Sequence, residues 1–248
     1  MTEFTTSGQA KRWTFSSVEA LRQSKQLICS SVGSPLNSDE EAALIGFFSQ
    51  QCIIACNRFG FGDTVAHTAA TFMRRLFAVR SVSELDPKCS MAACIFLATK
   101  VEECFVSADS LCSQLKVDAD AILSLECTIL AELQFDLRVF NPSRSFRGFV
   151  SSVSWSRGST EMEEVMTISR PIFVTAVART DVEMLFPPSQ IALAVLVMCA
   201  KRTSTPKESV SSVEAFLSSP EFASRSGMAV EGAVVAQKLR EGITKIEQ

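Results

Sequence analysis

Two short segments of this chain are apolar on every side of a helix, and they constrain the fold more than any other feature. They are MAACIFLATK at 91–100 and IALAVLVMCAK at 191–201, both rich in small residues and both ending in a cation. A helix without a polar face is buried on all sides, so each segment predicts the central helix of its own domain. The uncharged run at 191–200 is too short to span a bilayer. Since about four helical patterns surround each segment, we predict an all-α chain of two roughly hundred-residue repeats with about five helices each.

Helix start and stop patterns divide the chain in the same way. Ser38 followed by Glu41 is a capping-box pattern, which predicts a helix from Asp39 to about Arg58. The sequence NPS at 141–143 interrupts the helical pattern and predicts a domain boundary. We assign 1–37 to an N-terminal helix and linker, 38–139 to the first repeat and 140–248 to the second repeat with a C-terminal helix. The remaining predicted helices are 16–30, 63–79, 88–100, a short helix capped by Ser107 or Asp109, 118–135, 143–153, 161–179, 189–201, 209–218 and 227–246.

Charge and composition exclude several classes of function. The 248 residues include 24 Lys and Arg and 27 Asp and Glu, a formal net charge of −3. This balance gives no general attraction to nucleic acid or to an anionic membrane, so we expect no direct contact with either. One His and no Tyr leave few of the usual catalytic acids, bases and metal ligands. The nine Cys are odd in number and lie in apolar stretches, which is typical of buried thiols in a reducing compartment.

Isolated residues that could carry chemistry have simpler interpretations. His67 falls early in a predicted helix and is expected to be structural. Cys52 and Cys56 have helical i, i+4 spacing, but the chain offers too few further ligands for a closed zinc site. Arg74, Arg75 and Arg80 are interpreted as a solvated basic face. We therefore expect no catalytic residue, no metal and no cofactor.

Five stretches, taken together, resemble the cyclin family. They are KRWTFSS at 11–17, FLATKVEE at 96–103, LECTILAELQFDL at 125–137, FNPSRSFRGF at 140–149 and ARTDVEMLFPPSQIALAVL at 178–196. They follow one another in this order between residues 11 and 196. Within the family the resemblance is strongest to the cyclin H group, because of the opening KRWTFSS stretch. The resemblance implies a cyclin fold in which the two repeats are the first and second cyclin boxes.

The resemblance also implies a function and partners. Cyclins are non-catalytic regulatory subunits that bind and activate a cyclin-dependent protein kinase by positioning a helix of its small lobe. Similarity to the cyclin H group implies the kinase-activating kinase, a third assembly subunit, a link to transcription factor IIH and a nuclear location. These are expectations carried over from the family.

Seven residues match positions of the family's kinase-binding surface. Lys100 and Glu126 are expected to pair and to hydrogen-bond backbone groups of the kinase helix. Taken alone, Lys100 would be the solvated cation typical of a helix C-terminus, and Phe135 could belong to the core as readily as to a contact. Val101 stands where cell-cycle cyclins have an aromatic residue, which implies a shallower pocket. The expected apolar pocket beside the pair consists of Leu97, Val101, Leu130, Phe135 and Leu137.

Three other functions remain open at this stage. A cyclin C-like subunit of the Mediator kinase module fits LDPK at 85–88 and RTDVEMLFPP at 179–188 nearly as well. A cyclin-fold transcription factor that binds DNA or peptides is disfavoured by the negative charge. An enzyme on a helical scaffold is disfavoured because the sequence offers no convergent set of titratable residues.

Overall fold

The computed structural model describes residues 4–219 and 222, apart from the side chains of Thr175 and Val177. Every regular element in these residues is helical, which confirms the all-α prediction. The chain divides into two compact units. The first runs to Phe140 and also includes Val174–Leu185, and the second comprises Asn141–Phe173 and the residues from Phe186 onward. None of the helices in the described ranges is long and apolar enough to cross a bilayer.

The first unit is built around one central helix. This helix, α5, contacts four of the others, α3, α4, α6 and α7. Every residue from Ser90 to Thr99 in it is buried, as its uniformly apolar sequence predicts. Its start is fixed by the Asp86 side chain, which accepts a hydrogen bond from the backbone N–H of Cys89. The helices are α1 (Gly8–Arg12), α2 (Val18–Val32), α3 (Ser38–Arg58), α4 (Asp63–Leu76), α5 (Pro87–Val101), α6 (Ala108–Leu115) and α7 (Ala119–Glu132).

The capping box of α3 lies one residue earlier than predicted. Asn37 is the N-cap: its side chain accepts hydrogen bonds from the N–H groups of Asp39 and Glu40, and the Glu40 carboxylate accepts from the Asn37 N–H. The prediction of Ser38 and Glu41 was wrong because Asn is as good an N-cap as Ser and precedes it here. Glu41 is buried and accepts hydrogen bonds from the hydroxyl groups of Ser34 and Ser81.

The second unit contains the other uniformly apolar helix, α10 (Pro188–Ala200). This helix contacts α8 and α11, and its residues are buried from Ile191 to Val197, as predicted. The helix α9 contains Pro171, which has no N–H to donate to the helical hydrogen bonds. The helices are α8 (Pro142–Ser152), α9 (Ser159–Arg179, with its residues from Val174 in the first unit), α10 (Pro188–Ala200) and α11 (Pro206–Leu217). The predicted helix at 227–246 lies outside the described residues.

Candidate functional site

Lys100 and Glu126 form an ion pair at the surface of the first unit. Lys100 lies in the last turn of α5 and Glu126 lies in the middle of α7, two helices that pack together. The Lys100 Nζ atom donates to both carboxylate oxygens of Glu126, at 2.6 and 2.8 Å. Both distances are typical of charge-assisted hydrogen bonds. The Lys100 side chain is 42% exposed, so the paired ammonium still faces solvent.

Lys100 has a second contact, on the face of an aromatic ring. Its Nζ atom lies over the ring of Phe96 at 4.1 Å from the centroid. Phe96 precedes Lys100 by one helical turn and is buried. The ammonium therefore contacts both a carboxylate from α7 and a buried ring from its own helix.

The five apolar residues expected beside the pair lie at different depths. Leu97 is only 3% exposed and belongs to the core, so it supports the surface from beneath. Val101, Leu130 and Leu137 are partly buried and pack against the same core. Phe135 is 72% exposed, which answers the question left open by the sequence: its ring is not part of the core of this chain.

The exposed Phe135 ring stands on an unusual backbone just after α7. Gln134 and Phe135 have φ values of +52° and +58°, both in the left-handed region. A bulky residue with positive φ is an outlier, and such strained residues cluster at functional sites. The Phe135 N–H donates to the Leu130 carbonyl oxygen at 3.0 Å, which closes the end of the helix. The fold thus holds an aromatic ring in solvent with a strained backbone.

The basic cluster on α4 is not the solvated face that the sequence suggested. Arg74 and Arg75 are both buried. Arg74 donates to the Ala178 carbonyl oxygen at 3.2 Å and is also bonded to Asp181, which Lys25 contacts at 3.3 Å. Burial would raise the pKa of Asp181, but the charges of Arg74 and Lys25 outweigh it and lower that pKa. The prediction was wrong because acidic partners far along the chain bring the arginines inside.

Arg75 contacts both the N-terminal segment and the residues that follow α7. Its guanidinium lies 5.7 Å from the centroid of the Trp13 ring. It also reaches the carbonyl oxygens of Asp136 and Arg138, at 3.4 and 3.5 Å. Burial lowers the pKa of Arg75 to about 10, against the opposing charges of Glu183 and Asp136.

His67 has a buried carboxylate partner, in line with its expected structural role. Its Nε2 atom lies 3.0 Å from Glu183 Oε1, and the Thr71 hydroxyl lies 3.0 Å from Glu183 Oε2. His67, Thr71, Arg74 and Arg75 follow each other at helical spacing on α4. A polar stripe on an otherwise apolar helix was the one sequence pattern that could have revealed this buried cluster.

Arg80, the third arginine of the predicted basic face, is partly exposed, unlike Arg74 and Arg75. It is 40% exposed and pairs with Glu84 and Glu132 at 2.8 and 2.6 Å. It is therefore a surface cation, as the sequence suggested, with one partner four residues away and one on α7.

The nine cysteines are free thiols. In the part of the chain that the structure describes, no three His, Cys, Asp or Glu side chains are grouped to hold a metal ion. Most of the thiols are buried, and burial raises the pKa of Cys56 to about 12, so that this thiol stays protonated near neutral pH. Cys127 is exposed on α7, so the expectation that all nine are buried is wrong for this residue.

Comparison with protein families decides the classification. Residues 19–138 match the cyclin N-terminal domain, and residues 141–248 match the cyclin C-terminal domain. The chain belongs to the cyclin family. The two matches together cover nearly all of this cyclin and meet at the boundary between its two units.

Individual relatives and one solved structure agree with that assignment. The cyclin is 32% identical over 166 residues to Cyclin-H1-1 of Arabidopsis thaliana, covering 65% of this chain and 49% of that protein. It is 33% identical over 183 residues to Cyclin-H of Xenopus laevis, covering 70% of this chain and 57% of that protein. The chain therefore spans about half the length of these curated relatives. A chain of the yeast TFIIK (Kin28/Ccl1/Tfb3) complex is 25% identical and superimposes with a TM-score of 0.77 over 96% of this chain and 97% of that chain.

Proposed function

We propose that this cyclin binds and activates a cyclin-dependent protein kinase through the surface that carries Lys100, Glu126 and Phe135. The observation that carries the proposal is the Lys100–Glu126 pair: the resemblance matches both residues to kinase-binding positions of the family, and they are joined at 2.6 and 2.8 Å. In this proposal the chain is a regulatory subunit and the partner kinase performs the catalysis.

The chemistry of the pair suits the backbone of a helix. An ammonium has three N–H donors, of which the carboxylate takes two, and each carboxylate oxygen has more than one lone pair. The pair can therefore offer a donor and an acceptor side by side, to a free carbonyl and a free N–H at a helix end. Because the pair is already formed in the free chain, little side-chain entropy is lost when the kinase binds.

Apolar residues around the pair complete the proposed contact. Leu130 lies one turn after Glu126 on α7, Val101 follows Lys100, and Phe135 extends into solvent at the end of α7. Burying a largely exposed Phe against a partner contributes on the order of 2 kcal/mol. The charged pair then fixes the register, and the apolar residues supply most of the affinity.

Activation follows from binding one kinase conformation better than another. A protein kinase is active when a Glu on its small-lobe helix pairs with the ATP-binding Lys. A partner shifts a conformational equilibrium only as far as it prefers one state. A rigid surface that fits the helix only in its active position therefore activates the kinase.

The relatives support a specific assignment. Two are named as cyclin H proteins, and the matching structure is a three-component TFIIK complex. We propose that this chain acts in the same setting, with a kinase-activating kinase, a third assembly subunit and transcription factor IIH, and hence in the nucleus. The two cyclin boxes of the proposed subunit span 38–139 and 140–248, with 1–37 as the N-terminal helix and linker.

Affinity purification from the native cell tests this assignment. We expect the tagged chain to recover a protein kinase together with subunits of transcription factor IIH. Recovery of Mediator subunits would favour the cyclin C-like function instead. Recovery of the chain without any kinase, at a native expression level, would contradict kinase activation as its function.

A further inference from the structure

The ring of Phe96 forms a rigid support beneath the Lys100 ammonium. The two residues have i, i+4 spacing on α5, which places their side chains on the same face of the helix. Phe96 is 5% exposed and packs in the core of the first unit, so its ring cannot turn away. The 4.1 Å between Nζ and the ring centroid is well within the range of a cation–π interaction.

A carboxylate alone would hold this ammonium poorly. Lys100 has four rotatable carbon–carbon bonds and is 42% exposed, and a solvated ion pair of this kind is weak. The face of an aromatic ring is negative, so the Phe96 ring attracts the ammonium in addition to the Glu126 carboxylate. Two contacts restrict the ammonium more than the carboxylate alone would.

We infer that Phe96 is a positioning residue that fixes Lys100 for recognition of the partner kinase. It acts through Lys100 and does not touch the partner, since its ring is buried. This inference rests on the proposed function. It predicts that the aromatic character of position 96 matters beyond its apolar volume, because leucine fills a core position but has no negative ring face.

A test on the free chain isolates the contact. Protons above a ring face are shielded, so the ε-methylene protons of Lys100 should be shifted upfield in the NMR spectrum. Phe96→Leu should remove this shift. Phe72→Leu is the matched control, because Phe72 is buried in the same core on α4 and the same change there should leave the Lys100 shift in place. An unshifted Lys100 in the wild-type chain would overturn the inference.

A double-mutant cycle on kinase affinity tests the role. Phe96→Leu should weaken binding about fivefold, and it should have no further effect when Lys100 is already Met. If Phe96 were merely structural, Phe96→Leu would reduce kinase affinity by the same factor whether residue 100 is Lys or Met. That additive result would overturn the inference. Lys100→Met distinguishes the two proposals: if it leaves kinase affinity unchanged, the proposed binding surface itself is wrong. If it weakens binding while the cycle is additive, only the role of Phe96 is wrong.

Discussion

His67 Nε2 lies 3.0 Å from Glu183 Oε1, and both side chains are buried in the first unit. The contact joins α4 to a 3₁₀ turn at Val182–Met184, more than a hundred residues further along the chain. Burial alone would raise the pKa of Glu183, but His67, Thr71 and Arg75 outweigh it and lower that pKa. The fold of this unit is therefore adapted to a charged carboxylate at position 183.

Stability should fall in acid because of this carboxylate. A carboxyl group with a lowered pKa in the folded state stabilises the fold above its unfolded pKa and loses that contribution as the pH falls through the folded value. For Glu183 and Asp181 the loss begins below their ordinary values of 4.5 and 3.8. We expect the free energy of unfolding to decline below about pH 4.5.

Glu183→Gln should lower the free energy of unfolding by about 1–3 kcal/mol at neutral pH and flatten its decline in acid. Urea titrations across the pH range measure the free energy of unfolding of the wild type and the variant. If the free energy of Glu183→Gln declined in acid as steeply as that of the wild type, the prediction would be contradicted.

Arg75→Lys should destabilise the first unit although it keeps the charge. A single ammonium cannot reach the carbonyl oxygens of Asp136 and Arg138 and also lie on the Trp13 ring. We expect a loss of about 2 kcal/mol in the free energy of unfolding, measured by urea titration. Arg80→Lys is the control, since Arg80 is 40% exposed and should lose less than about 0.5 kcal/mol. Equal stability of Arg75→Lys and the wild type would show that the buried guanidinium geometry is not needed.

Most of the helices, and several of the caps that begin them, were accessible from sequence because they depend on local physics. Asp118 begins α7 by capping it, and Ser107 begins α6 in the same way. The two central helices were recognisable because no polar face could be drawn on them. The end of α4 was not recognisable from sequence. The helix ends at Leu76, three residues before the predicted end, and the residues that follow it are apolar as well.

The acidic partners of the buried arginines could not be predicted, for the opposite reason. Arg74 and Asp181 are 107 residues apart, and nothing in the local sequence links them. An arginine pair at a helix end has the same local pattern whether it faces solvent or a distant carboxylate. The Lys100–Glu126 pair was found only through the family resemblance, and the left-handed backbone at Phe135 had no sequence pattern to predict it.

Phe135→Ser should weaken kinase binding without weakening the fold. The ring is 72% exposed and leaves the core intact when removed. We expect roughly a tenfold or greater loss of affinity, measured by titration with the partner kinase, and an unchanged thermal midpoint. Phe47→Ser removes a ring that is 54% exposed on α3 and should leave affinity unchanged. If both variants bind like the wild type, Phe135 is not part of the contact.

Ala93→Glu should unfold the first unit. Ala93 is fully buried at the centre of α5, and a carboxylate there would have no partner. The cost of several kcal/mol is comparable with the stability of a whole domain. Calorimetry should show the loss of a cooperative transition, whereas Ala43→Glu, at an exposed position of α3, should melt like the wild type. A cooperatively melting Ala93→Glu chain would contradict a central α5.

The kinase affinity of Lys100→Ala and Glu126→Ala tests the proposed binding surface most directly. Each change leaves the other charge of the pair without a partner where the kinase covers it, which costs on the order of 2–5 kcal/mol. Isothermal titration with the purified kinase should therefore show a loss of about 30-fold or more in both variants. Arg80→Ala is the matched control, because Arg80 is a surface cation of similar exposure that pairs with Glu132 and Glu84. We expect its affinity to equal that of the wild type. Wild-type affinity in both Lys100→Ala and Glu126→Ala, with the fold intact, would show that this surface does not bind the kinase.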